Sequence, residues 1–183
     1  MKRLARPLTL KTFEDEKGVF TGYGNVFGKV DHYRDFVEPG AFTRTLERWR
    51  DKGRLPALLW QHDSSRPIGV YEAMREDEHG LLVRGRLLVE DVALAREAWA
   101  LLKAGAINGL SIGFNAVQEE RDRDRVNHIK EIDLWEVSLV TFPANEAATI
   151  TEVKQADPEL LDALREHTKT MRTILLGGTH HGR

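Results

Sequence analysis

Apolar residues alternate with small or polar ones through Leu110-Ser111-Ile112-Gly113-Phe114-Asn115. A period of two marks a β-strand, so Leu110, Ile112 and Phe114 are expected to face the core. Ser111, Gly113 and Asn115 then share the opposite face, where glycine beside a strand serine lets another backbone come close. The same alternation predicts strands over Leu8–Phe13 and Val19–Phe27, joined as a hairpin by the polar turn Glu14–Gly18. Gly22, Gly24 and Gly28 mark a bend or bulge in the second strand. Further strands are predicted at Pro56–Trp60, Pro67–Ala73 and Gly80–Val89, with one or two over Ile129–Phe142. Within the last stretch, Asp133–Val140 is apolar on both faces, which predicts burial on both sides.

Helical spacing appears in three places. Phe42, Leu46 and Trp49 recur at three-to-four intervals after a loop spanning Asp31–Gly40, and the helix should close near Gly53. Leu94, Ala98, Leu101 and Leu102 form a second stripe, with Asp91 as its N-cap and Gly105 as its stop. Asp157-Pro158 opens a third helix, which carries Leu161, Leu164, Thr168, Met171 and Leu175 and ends at Gly177-Gly178. The charge run Glu119–Arg125 reads as a solvated hairpin tip. Six or seven strands with three helices that do not alternate as βαβα predict an α+β fold with a mainly antiparallel sheet, curled toward a barrel. The globular unit should span residues 1–155, with the last helix and tail at 156–183.

Composition narrows the chemistry. The chain has 183 residues, 41% hydrophobic and 31% charged, so one domain with a sizeable core is expected. A net charge of −2 gives no global attraction to nucleic acid or membrane. Cysteine is absent, which removes disulfides, thiolate nucleophiles and cysteine zinc sites, and suits a reducing compartment. Met1–Pro7 is basic but lacks the apolar core of a signal peptide, and no stretch approaches the ~20 apolar residues of a membrane-spanning helix.

A serine hydroxyl is inert until a base takes its proton. For Ser111 the candidate base is His62, placed where the apolar strand Pro56–Trp60 stops and a rigid element can aim an imidazole. The plainer reading of His62 is a hydrogen-bonded strand-end histidine. Glu136 sits in the doubly apolar strand, where a carboxylate is costly without a cationic or hydrogen-bonding partner. An imidazolium is one such partner; a salt bridge to Arg84, Arg86 or another arginine is the alternative. Asp133 and His128 compete for the same third role. The Gly-x-Ser-x-Gly string does not fit the nucleophile elbow of an α/β-hydrolase, because strand alternation follows the serine and the histidine precedes it. A metal site would have to collect His62, Asp63, His128 and Glu131, without any close-spaced helical histidine pair.

Five ordered blocks resemble the prohead proteases of tailed bacteriophages. They are Gly22–Phe27, Val37–Phe42, Leu59–Asp63 with Pro67-Ile68-Gly69, Gly109–Phe114, and Glu136–Asn145. That resemblance implies a serine endopeptidase working inside the assembling procapsid, in the cytoplasm of the bacterial host. Such enzymes cut scaffolding protein, or the scaffolding extension of the major capsid protein, and often themselves. It also implies a fold similar to the herpesvirus capsid-maturation protease, a β-barrel ringed by helices. Carried over by motif, Ser111 is the nucleophile, His62 the general base and acid, and Glu136 the third member. The herpesvirus enzyme places its oxyanion donors shortly after its third residue, which points to the backbone amides of Ala144 and Asn145. The chemistry needs no metal or organic cofactor, and neither nucleic acid nor membrane is an expected partner. The C-terminal helix either completes the core or docks onto scaffold or a second subunit, as in a homo-oligomer. The rival readings are an idle scaffolding or capsid-binding module of the same origin and a metal-dependent hydrolase.

Overall fold

In a computed structural model, residues 17–153 are described. The elements run β1 (Val19–Val26), β2 (Asp35–Val37), α1 (Thr43–Asp51), β3 (Ala57–Trp60), β4 (Asp63–Glu76), β5 (Gly80–Leu87), α2 (Ala93–Lys103), β6 (Gly109–Arg121), β7 (Asn127–Val140) and β8 (Ile150–Val153). The strand expected over Leu8–Phe13 and the helix expected from Pro158 lie outside the described residues.

All eight strands belong to one sheet, in the order β2-β7-β3-β4-β5-β1-β8, with β6 paired to β7. The sheet is mixed. β2 and β3 run parallel to β7, and the remaining pairings are antiparallel. It curls as an open half-barrel accompanied by two helices among the described residues. This corrects the expected antiparallel barrel ringed by helices. Side-chain alternation reports which face a residue takes but not strand direction, and parallel partners are brought together by long crossovers.

β7 organises the sheet. β6 pairs along one edge from Asn127 to Val140. The other edge is shared by β2, at Asn127 to Ile129, and β3, at Glu136 to Leu139. The gap between them would leave β7 backbone groups unpaired, a cost that folded chains avoid. The residues at and just before α1 fill it. Ala41 O accepts from Ile132 N at 3.0 Å, Thr45 Oγ1 accepts from Leu134 N at 3.0 Å, and Trp49 Nε1 donates to Leu134 O at 2.8 Å. Thr45 is fully buried for this purpose. Phe20, Phe42, Leu58, Ile68, Leu110 and Leu139 anchor the core beneath the sheet. Burying each such side chain stabilises by about 1.5–3 kcal/mol before entropy is counted.

Several local expectations meet their physical limits here. The β1–β5 register shifts between Tyr23 and Asn25, a bulge at Gly24 of the kind the glycines indicated. α2 is capped at Val92 without a side-chain bond, not by Asp91. Its buried face is Ala95, Ala98, Trp99 and Leu102, so the stripe is rotated and Leu101 is exposed. β6 continues through Glu119–Arg121, and only the turn beyond it forms the hairpin tip. β7 is buried on both faces only from Glu136 onward, and Trp135 is exposed.

Candidate active site

The three central candidates come from neighbouring strands. Ser111 lies on β6, Glu136 on β7, and His62 in the turn that follows β3 on the far edge of β7. In the β6–β7 ladder Ser111 stands opposite Ser138 and Gly113 opposite Glu136. Residues directly opposite in an antiparallel pair share a face, so Ser111, Ser138 and Glu136 project together, with Gly113 leaving space beside them.

His62 Nδ1 lies 2.6 Å from Glu136 Oε1. Glu136 is nearly buried and His62 is about half exposed. The bond to the carboxylate raises the His62 pKa above the ordinary 6.5, against the opposing effect of partial burial. Ser138 is fully buried. Its Oγ accepts from His62 N at 3.1 Å and donates to Glu136 Oε2 at 2.5 Å.

The turn that aims the imidazole is strained. Gln61 and His62 have φ of 53° and 61°, in the left-handed region. Together they form the two-residue link between β3 and β4, where Trp60 pairs with Asp63. Two-residue hairpins favour positive φ at both positions, which usually brings in Asn and Gly. With L side chains each such residue costs about 1–2 kcal/mol. Hydrogen bonds to β7 and the loop after it offset this. Gln61 N donates to Leu139 O at 3.0 Å, and Gln61 Nε2 donates to Thr141 Oγ1 at 2.8 Å. Thr141 N returns a bond to Gln61 Oε1 at 3.3 Å.

Gly113 makes room for the acid. A Cβ built there would meet Glu136 Oε1 at 2.2 Å and Cγ at 2.9 Å. The expected close approach is therefore by a carboxylate and not by another backbone.

Ser111, His62, Ala144 and Asn145 all line a cavity of ≈ 460 Å³. Ile112 and Phe114, expected in the core, are only partly buried and line it too. Ser111 Oγ makes no hydrogen bond among the described residues. The backbone N–H groups of Ala144 and Asn145 likewise donate to nothing among those residues. The Asn145 side chain is occupied, donating from Nδ2 to Val26 O at 2.8 Å and accepting from Ala147 N at 3.1 Å. Asn25, which the sequence did not single out, also lines the cavity, and its buried Oδ1 has no partner among the described residues. A larger cavity of ≈ 780 Å³ between α1 and β4 contains none of these groups.

The other candidates are engaged elsewhere. Asp133 bonds Arg48 at 2.8 Å. His128 bridges Glu38 at 2.8 Å and Asp122 at 3.2 Å, which raises its pKa. Arg84 and Arg86 pair with Glu72 and leave Glu136 to His62 and Ser138. Glu131 pairs with Arg44, and Asp63 with Arg66 and Ser65, so the four side chains of the metal reading are dispersed. Gln61 and Ser138 were also missed. Ser138 had a readable signal, since a hydroxyl two residues after Glu136 must share its strand face.

The model of the caudovirus prohead serine protease family matches residues 6–161. The chain belongs to that family. It is 34% identical over 149 residues to the prohead protease of Enterobacteria phage HK97, covering 80% of this chain and 64% of that protein. It is 36% identical over 165 residues to the capsid polyprotein of Pseudomonas phage PAJU2, covering 86% of this chain and 23% of the polyprotein. The chain thus spans less than two-thirds of the length of either relative. A solved structure of KSHV protease, in complex with a hexapeptide phosphonate inhibitor, aligns with a TM-score of 0.52 at 12% identity, covering 84% of this chain and 77% of that one. At that identity the likeness concerns the fold: the curled sheet is herpesvirus-protease-like.

Proposed function

We propose that this protein is a serine endopeptidase that matures phage procapsids. It cleaves scaffolding protein, or the scaffolding extension of the major capsid protein, inside procapsids in the host cytoplasm. Family membership supports the peptidase reading. The names of the HK97 and PAJU2 relatives support a substrate within the capsid. Among the described residues no helix is long and apolar enough to cross a membrane.

The observation that carries the mechanism is the 2.6 Å contact between His62 Nδ1 and Glu136 Oε1 beside the cavity that Ser111 lines. With the Nδ1 proton held by the carboxylate, the other ring nitrogen of His62 takes the Ser111 proton as the hydroxyl attacks a peptide carbonyl. The resulting tetrahedral oxyanion is met by the Ala144 and Asn145 amides. His62 then protonates the departing amine, an acyl-enzyme forms, and water attacks it by the same route in reverse. Glu136 orients the imidazole and stabilises its charged form. Of the two serines on this face, Ser138 is sealed and already donates its proton, which supports Ser111 as the nucleophile.

The test is co-expression with the cognate capsid protein. Shortened capsid chains with the wild type and full-length chains with Ser111→Ala are expected. Full-length chains with both would favour the idle scaffolding module, and cleavage lost to EDTA would favour a metal-dependent hydrolase.

A further inference from the structure

We infer that Ser138 is a positioning residue that locks the acid and the base of this site to each other. The inference rests on the peptidase reading for its kinetic consequences but on geometry for its substance. One buried hydroxyl serves both partners. It donates to Glu136 Oε2 and accepts from the backbone N–H of His62. A serine hydroxyl has a single proton, so donating it to the carboxylate fixes the rotor and turns a lone pair toward His62 N. The Glu136 carboxylate is then held at both oxygens, Oε1 by the imidazole and Oε2 by Ser138. Neither oxygen can swing without breaking one of these bonds.

The second consequence concerns the strained turn. His62 has left-handed φ, and its N–H points back at β7 instead of joining the β3–β4 ladder. Ser138 is the group that receives it. The same residue therefore fixes where the imidazole starts from and where the carboxylate ends. Ser138 also stands directly opposite Ser111 and directly beside Leu59. The lock thus sits at the junction of the three strands that carry the site. Geometry held to within about 0.5 Å is what such a relay requires.

The experiment compares wild type, Ser138→Ala and Ser138→Thr. The His62 Nδ1 proton is followed by NMR, alongside the pH profile of kcat/KM on a peptide containing the capsid cleavage sequence. With the hydroxyl removed, Oε2 loses its partner and the carboxylate is held by His62 alone. In Ser138→Ala the downfield Nδ1 proton signal should be lost or move upfield. The acid limb of the profile should shift down toward the ordinary histidine range, and kcat should fall at least tenfold with KM held. Ser138→Thr, which keeps the hydroxyl, should retain the signal. Circular dichroism and titration with a serine-directed phosphonate correct for the folded, active fraction. An Nδ1 signal and an acid limb both unchanged in folded Ser138→Ala would overturn the inference and leave Ser138 a packing residue. The NMR signal is read without turnover, so it decides the lock even if Ser111→Ala proves as active as wild type and the peptidase reading fails.

Discussion

Gly113 stands directly opposite Glu136, and the Glu136 carboxylate occupies the space that any side chain at position 113 would need. The close approach is to a group held at both ends, by His62 and by Ser138, so it has little freedom to retreat. Gly113→Ala is expected to displace the carboxylate from His62 while leaving the sheet intact. Activity should fall by at least a hundredfold, with a loss of about 1–3 kcal/mol in stability for overpacking. Peptide hydrolysis and chemical denaturation measure the two, and near-normal activity in the variant would contradict the arrangement.

The proposed acid–base pair makes a signed prediction. His62 must be neutral to act as a base, and its bond to Glu136 raises its pKa above 6.5. The acid limb of kcat/KM should therefore lie above 6.5 in wild type and move down in Glu136→Gln. That variant should also lose on the order of 10⁴ in kcat, as when the carboxylate of a Ser-His-Asp relay becomes an amide and the wrong tautomer is favoured. The linkage to stability runs the same way. A raised folded pKa contributes stability that is full below the unfolded value and lost as pH rises through the folded one. The stability gap between wild type and Glu136→Gln should shrink across that window.

Under the proposed mechanism, backbone and side chain at the loop after β7 have separable roles. Ala144→Pro removes one free N–H and should lower kcat by about 10²–10³ with KM little changed, the usual cost of an oxyanion donor. Asn145→Ala instead breaks the bonds to Val26 O and Ala147 N. It should cost about 1–3 kcal/mol in stability, read by denaturant titration. An Ala144→Pro enzyme with full kcat would remove this loop from the mechanism.

Much of the architecture was legible because it is local. Leu46 and Trp49 fall within α1 where helical spacing puts them, with Phe42 as its N-cap, and the Gly24 bulge follows from glycines in a strand. β2 was not legible, because three residues acquire strand character only by pairing with β7, 92 residues later. The same holds for the parallel direction of β3. At the site, motif resemblance pointed to Ser111, His62 and Glu136, whereas the left-handed turn at Gln61-His62 has no sequence mark. Neither residue is Gly or Asn, and the strain is held by contacts to residues at 138–141. The sequence predicts space for backbone at Gly113, because periodicity assigns a face but not what crosses it.

The most direct measurement is mass spectrometry of the protein after reaction with a fluorophosphonate probe in EDTA. One adduct, on the peptide containing Ser111, is expected in wild type, with at least a hundredfold slower labelling in His62→Ala. Labelling at another residue, or labelling of Ser111 at the same rate without His62, would contradict the account.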